Sequence, residues 1–145
     1  MFNKFKEMMQ GGASKLSGKT DLLEGICAAC VMVGAADGDL SDDEALVALE
    51  RLTGHDALSK AFTTSQIEAA FDKQAKRAKS GLSGRLGLQR EIEDVVKKST
   101  VDEKEMLLVI AIDVASADGD IGAKERAALT KIGSILGLEL KRYIE

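Results

Sequence analysis

Two stretches of this chain are so continuously apolar that a helix formed from either must be buried on nearly every side. The first, residues 21–36, carries Leu22, Leu23, Ile26, Val31, Met32 and Val33 with almost no charge, and Asp21 at its start is suited to N-capping. The second follows a Thr100-Val101-Asp102-Glu103 capping box and carries Met106, Leu107, Leu108, Val109, Ile110, Ile112 and Val114. Each run ends in Asp-Gly-Asp-aliphatic, with a Glu seven residues after the first Asp: Asp37-Gly38-Asp39-Leu40 with Glu44, and Asp118-Gly119-Asp120-Ile121 with Glu125. Apolar positions then recur at helical spacing, with Leu46, Leu49 and Leu52 expected inward after the first turn and Leu129, Ile132, Ile135 and Leu136 after the second. The pattern predicts two related helix-turn-helix units, each Gly supplying the left-handed C′ residue that ends the first helix.

Between the units, residues 56–62 suit one or two helical turns. Ser65-Gln66-Ile67-Glu68 is a capping box for a helix through Lys79, with Ile67, Ala70, Phe71 and Ala78 inward and Gly81 as its stop. Ser83 opens another helix through Lys98, and residues 138–144 add a last turn or two. The expected fold is all-α, a compact bundle of about seven helices in which residues 21–145 form a single domain. Ahead of it, Phe2, Phe5 and Met9 lie at helical spacing with Lys4 and Lys6 between them, followed by Gly11-Gly12 and a Ser/Gly/Lys stretch. Residues 1–20, net +3 in charge, read as a short amphipathic helix and linker, docked on its own domain in preference to a membrane-surface or partner contact.

Composition agrees with an all-helical domain: 145 residues, 45% apolar, 3% aromatic and no proline. The net charge of −4 is uneven. Residues 37–44 hold five acids and no base, whereas residues 73–98 hold eight Lys/Arg against Glu91, Glu93 and Asp94. One face is therefore expected to be acidic and another basic. The basic segment lacks aromatic interleaving and any nucleic-acid motif, so a solvated face is preferred to nucleic-acid binding. Phe2 to Met9 do not make a continuous signal-peptide core, and no uncharged span of about 20 residues exists to cross a bilayer; a soluble cytoplasmic protein is expected.

The acidic turns are the leading candidate site. In the first, Ser41 and Glu44 form a Ser-x-x-Glu capping box and Asp42 and Asp43 complement the helix dipole. In the second, Gly122, Ala123 and Lys124 replace Ser41, Asp42 and Asp43, yet Asp118, Asp120 and Glu125 remain. If the units pack face to face, Asp37, Asp39, Glu44, Asp118, Asp120 and Glu125 gather in one groove able to bind a divalent cation. Oxygen-only ligands select Ca, Mg or Mn over Zn. The spacing is not that of an EF-hand, whose Gly is sixth and Glu twelfth, and no Glu-x-x-His pair supports a di-iron bundle. Pure capping stands beside cation binding as an equal reading of the spacing. Cys27 and Cys30 lie at i and i+3 on the first apolar helix, where small core residues are the preferred reading and thiol-based oxyanion reduction or redox sensing the alternative. His55 suits a surface or capping role, and Asp113, interrupting the second apolar run, needs water or a partner.

The apolar helix leading into Ala35-Ala36-Asp37-Gly38, its second copy Ala115-Ser116-Ala117-Asp118-Gly119-Asp120, the following Glu125 and the near-terminal Ile135-Leu136-Gly137-Leu138 resemble the TerB family of bacterial tellurite-resistance proteins. The resemblance spans most of the chain. It implies a helical bundle with an acidic metal-binding groove, placed here at Asp37, Glu44, Asp118 and Glu125 with Asp39 and Asp120 nearby. Which of Asp42, Asp43 and Glu44 faces that groove stays open. It also implies a non-enzymatic role in tellurite and general stress resistance, with a protein partner such as a TerC-like membrane protein met at the cytoplasmic face of the membrane. A metal-free helical scaffold docking a basic partner is the alternative.

Overall fold

Thr20–Gly34 (α1) is the helix around which the others pack, and its side chains explain why. Ile26, Cys27, Ala28, Ala29 and Val31 are wholly buried, and several are small, so neighbouring helices approach closely on several sides. In the computed structural model, which describes residues 18–36, 38, 40–117 and 119–144, α1 is followed by α2 (Asp42–Thr53), α3 (Asp56–Ala61), α4 (Thr64–Ala78), α5 (Gly81–Lys98), α6 (Val101–Ala115) and α7 (Ala123–Leu136), then a 3-10 turn at Leu140–Arg142. The seven helices of an all-α bundle are present, with no strand among the described residues. The segment 1–17 lies outside them, as do Asp37, Asp39, Asp118 and Glu145.

The two apolar runs, α1 and α6, pack against each other, while α4 and α5 cover another side of α1 and α7 closes over α1, α5 and α6. One polar network crosses this core. Gln74 of α4 is wholly buried, and its amide nitrogen donates to Glu24 of α1 at 2.6 Å and Glu91 of α5 at 3.2 Å while its carbonyl accepts from Arg77 at 3.1 Å. With its donors and acceptor satisfied, the amide fixes the register of three helices rather than destabilising them.

Several boundaries differ from the sequence expectations. Asp21 is not the N-cap of α1; that position is Lys19, with no side-chain cap, and Asp21 sits in the first turn where its charge suits the dipole. The capping box of α4 is Thr63 with Gln66, not Ser65 with Glu68: Thr63 Oγ1 accepts from Gln66 N at 3.1 Å and Gln66 Oε1 from Thr63 N at 2.9 Å. The earlier box places apolar Phe62 and Ile67, both buried, at the flanking positions that can staple the helix start. Helix α5 begins at Gly81 rather than Ser83. Leu46, expected inward, is 56% exposed, because the inner face of α2 runs through Ala45, Ala48, Leu49 and Leu52 and leaves Leu46 one step around the helix.

Lys19 does something else. Its Nζ meets Glu103 Oε2 at 2.6 Å, joining the start of α1 to the start of α6. Burial pushes the Glu103 carboxyl up, but Lys19 and the Thr100 backbone and hydroxyl outweigh it and hold the group below its ordinary value. A carboxyl depressed in the folded state contributes stability above its unfolded value, and that contribution is lost as pH falls through the folded one. Glu103→Gln keeps an N3 side chain able to complete the capping box. With Lys19 half exposed, it should cost about 1 kcal/mol at pH 7, a difference that shrinks below pH ~4. Urea denaturation of both proteins across pH 3–7 checks this; a cost unchanged by pH would refute the charge-based reading.

Candidate functional site

The two acidic turns have one backbone plan. Helix α1 closes with Ala35 N bonded to Val31 O, and Gly38 N then reaches back to Ala35 O at 3.0 Å; at the second turn Ser116 N bonds Ile112 O and Gly119 N reaches Ser116 O at 2.9 Å. Gly38 (φ 131) and Gly119 (φ 101) both occupy positive φ, where a side chain would be strained. Neither is the C′ residue expected of it. The helices end at Gly34 and Ala115, so each glycine reverses the chain in the tight turn beyond.

Past each glycine an extended residue starts the next helix. Ser41 Oγ accepts from Glu44 N and Glu44 Oε1 from Ser41 N, both at 3.1 Å. Gly122 offers no side chain, yet Glu125 Oε1 still accepts from Gly122 N at 3.1 Å. Glu125 therefore retains the carboxylate half of the box, and its presence in the second turn has a local reason.

Glu44 and Glu125 nonetheless line one cleft of about 660 Å³, formed where α2 and α7 start above the ends of α1 and α6. Asp43 and Lys124 also line it, over an apolar floor that includes Val33, Ala48, Val114 and Ala115. Of the three consecutive acids, Asp43 and Glu44 face the cleft, whereas Asp42 turns outward to Lys79 at 3.0 Å. Asp120 is exposed at the second turn and is not part of this lining, while Asp37, Asp39 and Asp118 fall outside the described residues. Among the described residues no group of three His, Cys, Asp or Glu side chains is arranged to hold a metal ion.

Arginines brace both turns, a feature invisible in the spacing of the acids. Arg51 of α2 donates to the Val114 carbonyl at 2.8 Å, placing a cation at the C-terminal end of α6. Arg85 of α5 donates to the Gly38 carbonyl at 2.8 Å. The basic segment is thus not an isolated face: Lys73 meets Glu24 at 3.9 Å, Arg77 meets Glu91 at 3.1 Å and Lys98 meets Asp21 at 3.7 Å. Exposed pairs such as Lys79–Asp42 and Lys98–Asp21 add little stability singly, but they direct the basic helices toward acids of the same chain.

A second cleft of about 590 Å³ adjoins Arg51 on its other side and contains His55 and Asp113. His55 Nε2 and Asp113 Oδ2 are 3.0 Å apart, with the His side chain 11% and the Asp side chain 49% exposed. Asp113 has both the water and the partner its position demanded. His55 occupies the N-cap position of α3 without a side-chain cap, and its Nδ1 is buried with no hydrogen-bond partner among the described residues. The ring is packed rather than displayed, unlike the surface or capping residue expected.

Cys27 and Cys30 are free and buried in the core. Burial pushes the Cys30 thiol up to about 12; burial, then the charges of Cys30 and Glu24, push Cys27 well above its ordinary value. A thiol so placed is a poor nucleophile. Native protein should therefore react with a thiol reagent only as it unfolds, both cysteines reacting together in denaturant. One equivalent of fast labelling at neutral pH would restore the thiol reading.

The sequence model described as tellurite resistance protein TerB matches residues 23–145. The chain belongs to the TerB family. Its matched region takes in all seven helices but the first three residues of α1, and both acidic turns. Searches of curated proteins and of solved structures found no match to the chain. No helix among the described residues of this TerB-family protein is long and apolar enough to cross a membrane.

Proposed function

We propose that this TerB-family protein is a non-enzymatic module of tellurite and general stress resistance that binds a divalent cation between its two Asp-Gly-Asp turns. The supporting observation is that Glu44 and Glu125, 81 residues apart in sequence, line one cleft. Each commits Oε1 to a backbone N–H, which leaves Oε2 as the donor for a cation. Asp43 lies at the same cleft, and Asp37, Asp39 and Asp118 of the two turns are the proposed further ligands. Hard oxygen donors favour Ca, Mg or Mn over Zn. The bound ion would neutralise the gathered charge and clip the α1–α2 pair to the α6–α7 pair, stiffening a surface for a protein partner. A TerC-like membrane protein, met at the cytoplasmic face of the membrane, is the proposed partner, with the module itself cytoplasmic.

A metal-free scaffold that docks a basic partner is the second reading. It is favoured by the capping already done by both Glu side chains. Calorimetric titration with Ca²⁺, Mg²⁺, Mn²⁺ and Zn²⁺ separates the two. Heat that disappears in an Asp37→Asn/Asp118→Asn double variant supports the cation reading; no heat at millimolar metal leaves the scaffold.

A further inference from the structure

Five large apolar side chains are exposed among the described residues, and four of them fall in pairs on two helices. Leu46 and Val47 stand on α2, and Leu82 and Leu86, 73% and 42% exposed, stand on the first two turns of α5. Val101, at the start of α6, is alone. Helical spacing gives each pair an exposed charge on its own outer face: Glu50 lies one turn beyond Leu46, and Arg90 one turn beyond Leu86. Most other charges of these helices are engaged within the chain. Glu44 caps α2, Asp42 meets Lys79, Arg51 holds the Val114 carbonyl and Arg85 that of Gly38. On α5, Glu91 meets Arg77, Lys98 meets Asp21, and Lys97 lies 4.0 Å from Asp94. Among the described residues Asp43, Glu50, Arg90 and Glu93 have no such partner.

We propose that the outer face of α2 in one copy of this chain docks on the outer face of α5 in a second copy, Leu46 and Val47 against Leu82 and Leu86, and Glu50 against Arg90. The spacing fits. Each face carries a leucine and, four residues on, a charge of opposite sign to the other's, so two helices laid side by side in the same direction bring Leu46 to Leu86 and Glu50 to Arg90 in one register. Lys124 lies at the cleft bordered by Asp43 and Val47, and Lys60 at the one bordered by Glu50, which keeps the net charge of the α2 face small. The charges therefore set the register, and the four apolar side chains supply the attraction. Because the two faces differ, the contact is heterologous, and every assembly keeps one free face of each kind at its ends. A contact of this size is weak and reversible. It goes beyond cation binding and does not depend on it.

Sedimentation equilibrium of the full-length protein in chelated buffer tests the proposal without metal. The parent protein should self-associate as its concentration rises toward millimolar, its mean mass passing that of a dimer. Leu46→Ser/Val47→Ser and Leu82→Ser/Leu86→Ser each remove one face, and each variant alone should associate at least about tenfold more weakly. All four side chains are exposed, so the melting temperature of each variant should stay near that of the parent. An equimolar mixture of the two variants keeps one intact face on each chain, so it should associate again and stop at dimer mass. Glu50→Arg and Arg90→Glu should each weaken association, and the two combined in one chain should restore it. A parent protein that stays monomeric at millimolar concentration would overturn the proposal. So would association that the serine variants leave unchanged, or a variant mixture that stays monomeric.

Discussion

Gly84→Ala should destabilise this protein by about 3 kcal/mol or more, although it adds one methyl group to a helix. A Cβ built at Gly84 would stand 1.8 Å from the carbonyl oxygen of Arg77 and 2.8 Å from its carbon. Both are backbone atoms, so no rotamer change relieves the overlap, and α5 must move away from the end of α4. That movement would also pull apart the contacts of Arg77 with Gly87 and Glu91 that tie the two helices together. Gly87→Ala is the control. Its Cβ would meet only the Arg77 side chain, at 3.5 Å, so the ordinary helix preference for Ala should make it neutral or stabilising by roughly 0.5–1 kcal/mol. Two alanines one turn apart in the same helix should thus differ in sign, as measured by urea denaturation. A Gly84→Ala protein as stable as its parent would mean that α4 and α5 do not approach in this way.

The second large effect expected is stabilisation by cation. A ligand that binds only the folded state adds RT ln(1 + [L]/Kd), about 2.7 kcal/mol at a hundredfold excess over Kd, which for a domain of this size raises Tm by roughly 8–10 °C. The increase should be larger for Ca²⁺, Mg²⁺ or Mn²⁺ than for Zn²⁺, since the proposed donors are carboxylates and both cysteines are buried. In Asp37→Asn/Asp118→Asn it should vanish, while the metal-free Tm should change little. A Tm shift that survives the double substitution would place the cation elsewhere; no shift in either protein at millimolar cation would favour the metal-free scaffold.

The helices were legible because α1 and α6 are apolar almost all round and because the Ser41–Glu44 and Thr100–Glu103 boxes carry their own local chemistry. What single-residue patterns missed was competition between neighbours. Thr63 and Ser65 both offer a capping hydroxyl, and only the position of Phe62 in the core separates them. Leu46 and Ala45 compete for the inner face of α2, and size alone points to the wrong one. For the site, the two Glu residues could be placed at one cleft from their matching positions after the turns, but not Asp42, whose direction is set by Lys79 from a helix 37 residues away. The same limit hid Arg51 and its bond to the end of α6, and the His55–Asp113 pair across 58 residues. The position of Asp113 in an apolar run demands water or a partner, and the chain's single His is the partner that meets it.

The central claim is that both turns hold one ion together, and paramagnetic broadening by Mn²⁺ in amide-resolved NMR spectra tests it most directly. Signals of Ser41 and Glu44 and those of Gly122 and Glu125 should fade at the same small Mn²⁺ fraction, ahead of signals from the far ends of α1 and α5, and should persist in Asp37→Asn/Asp118→Asn. Broadening confined to one turn, or spread evenly over the acidic surface, would contradict it.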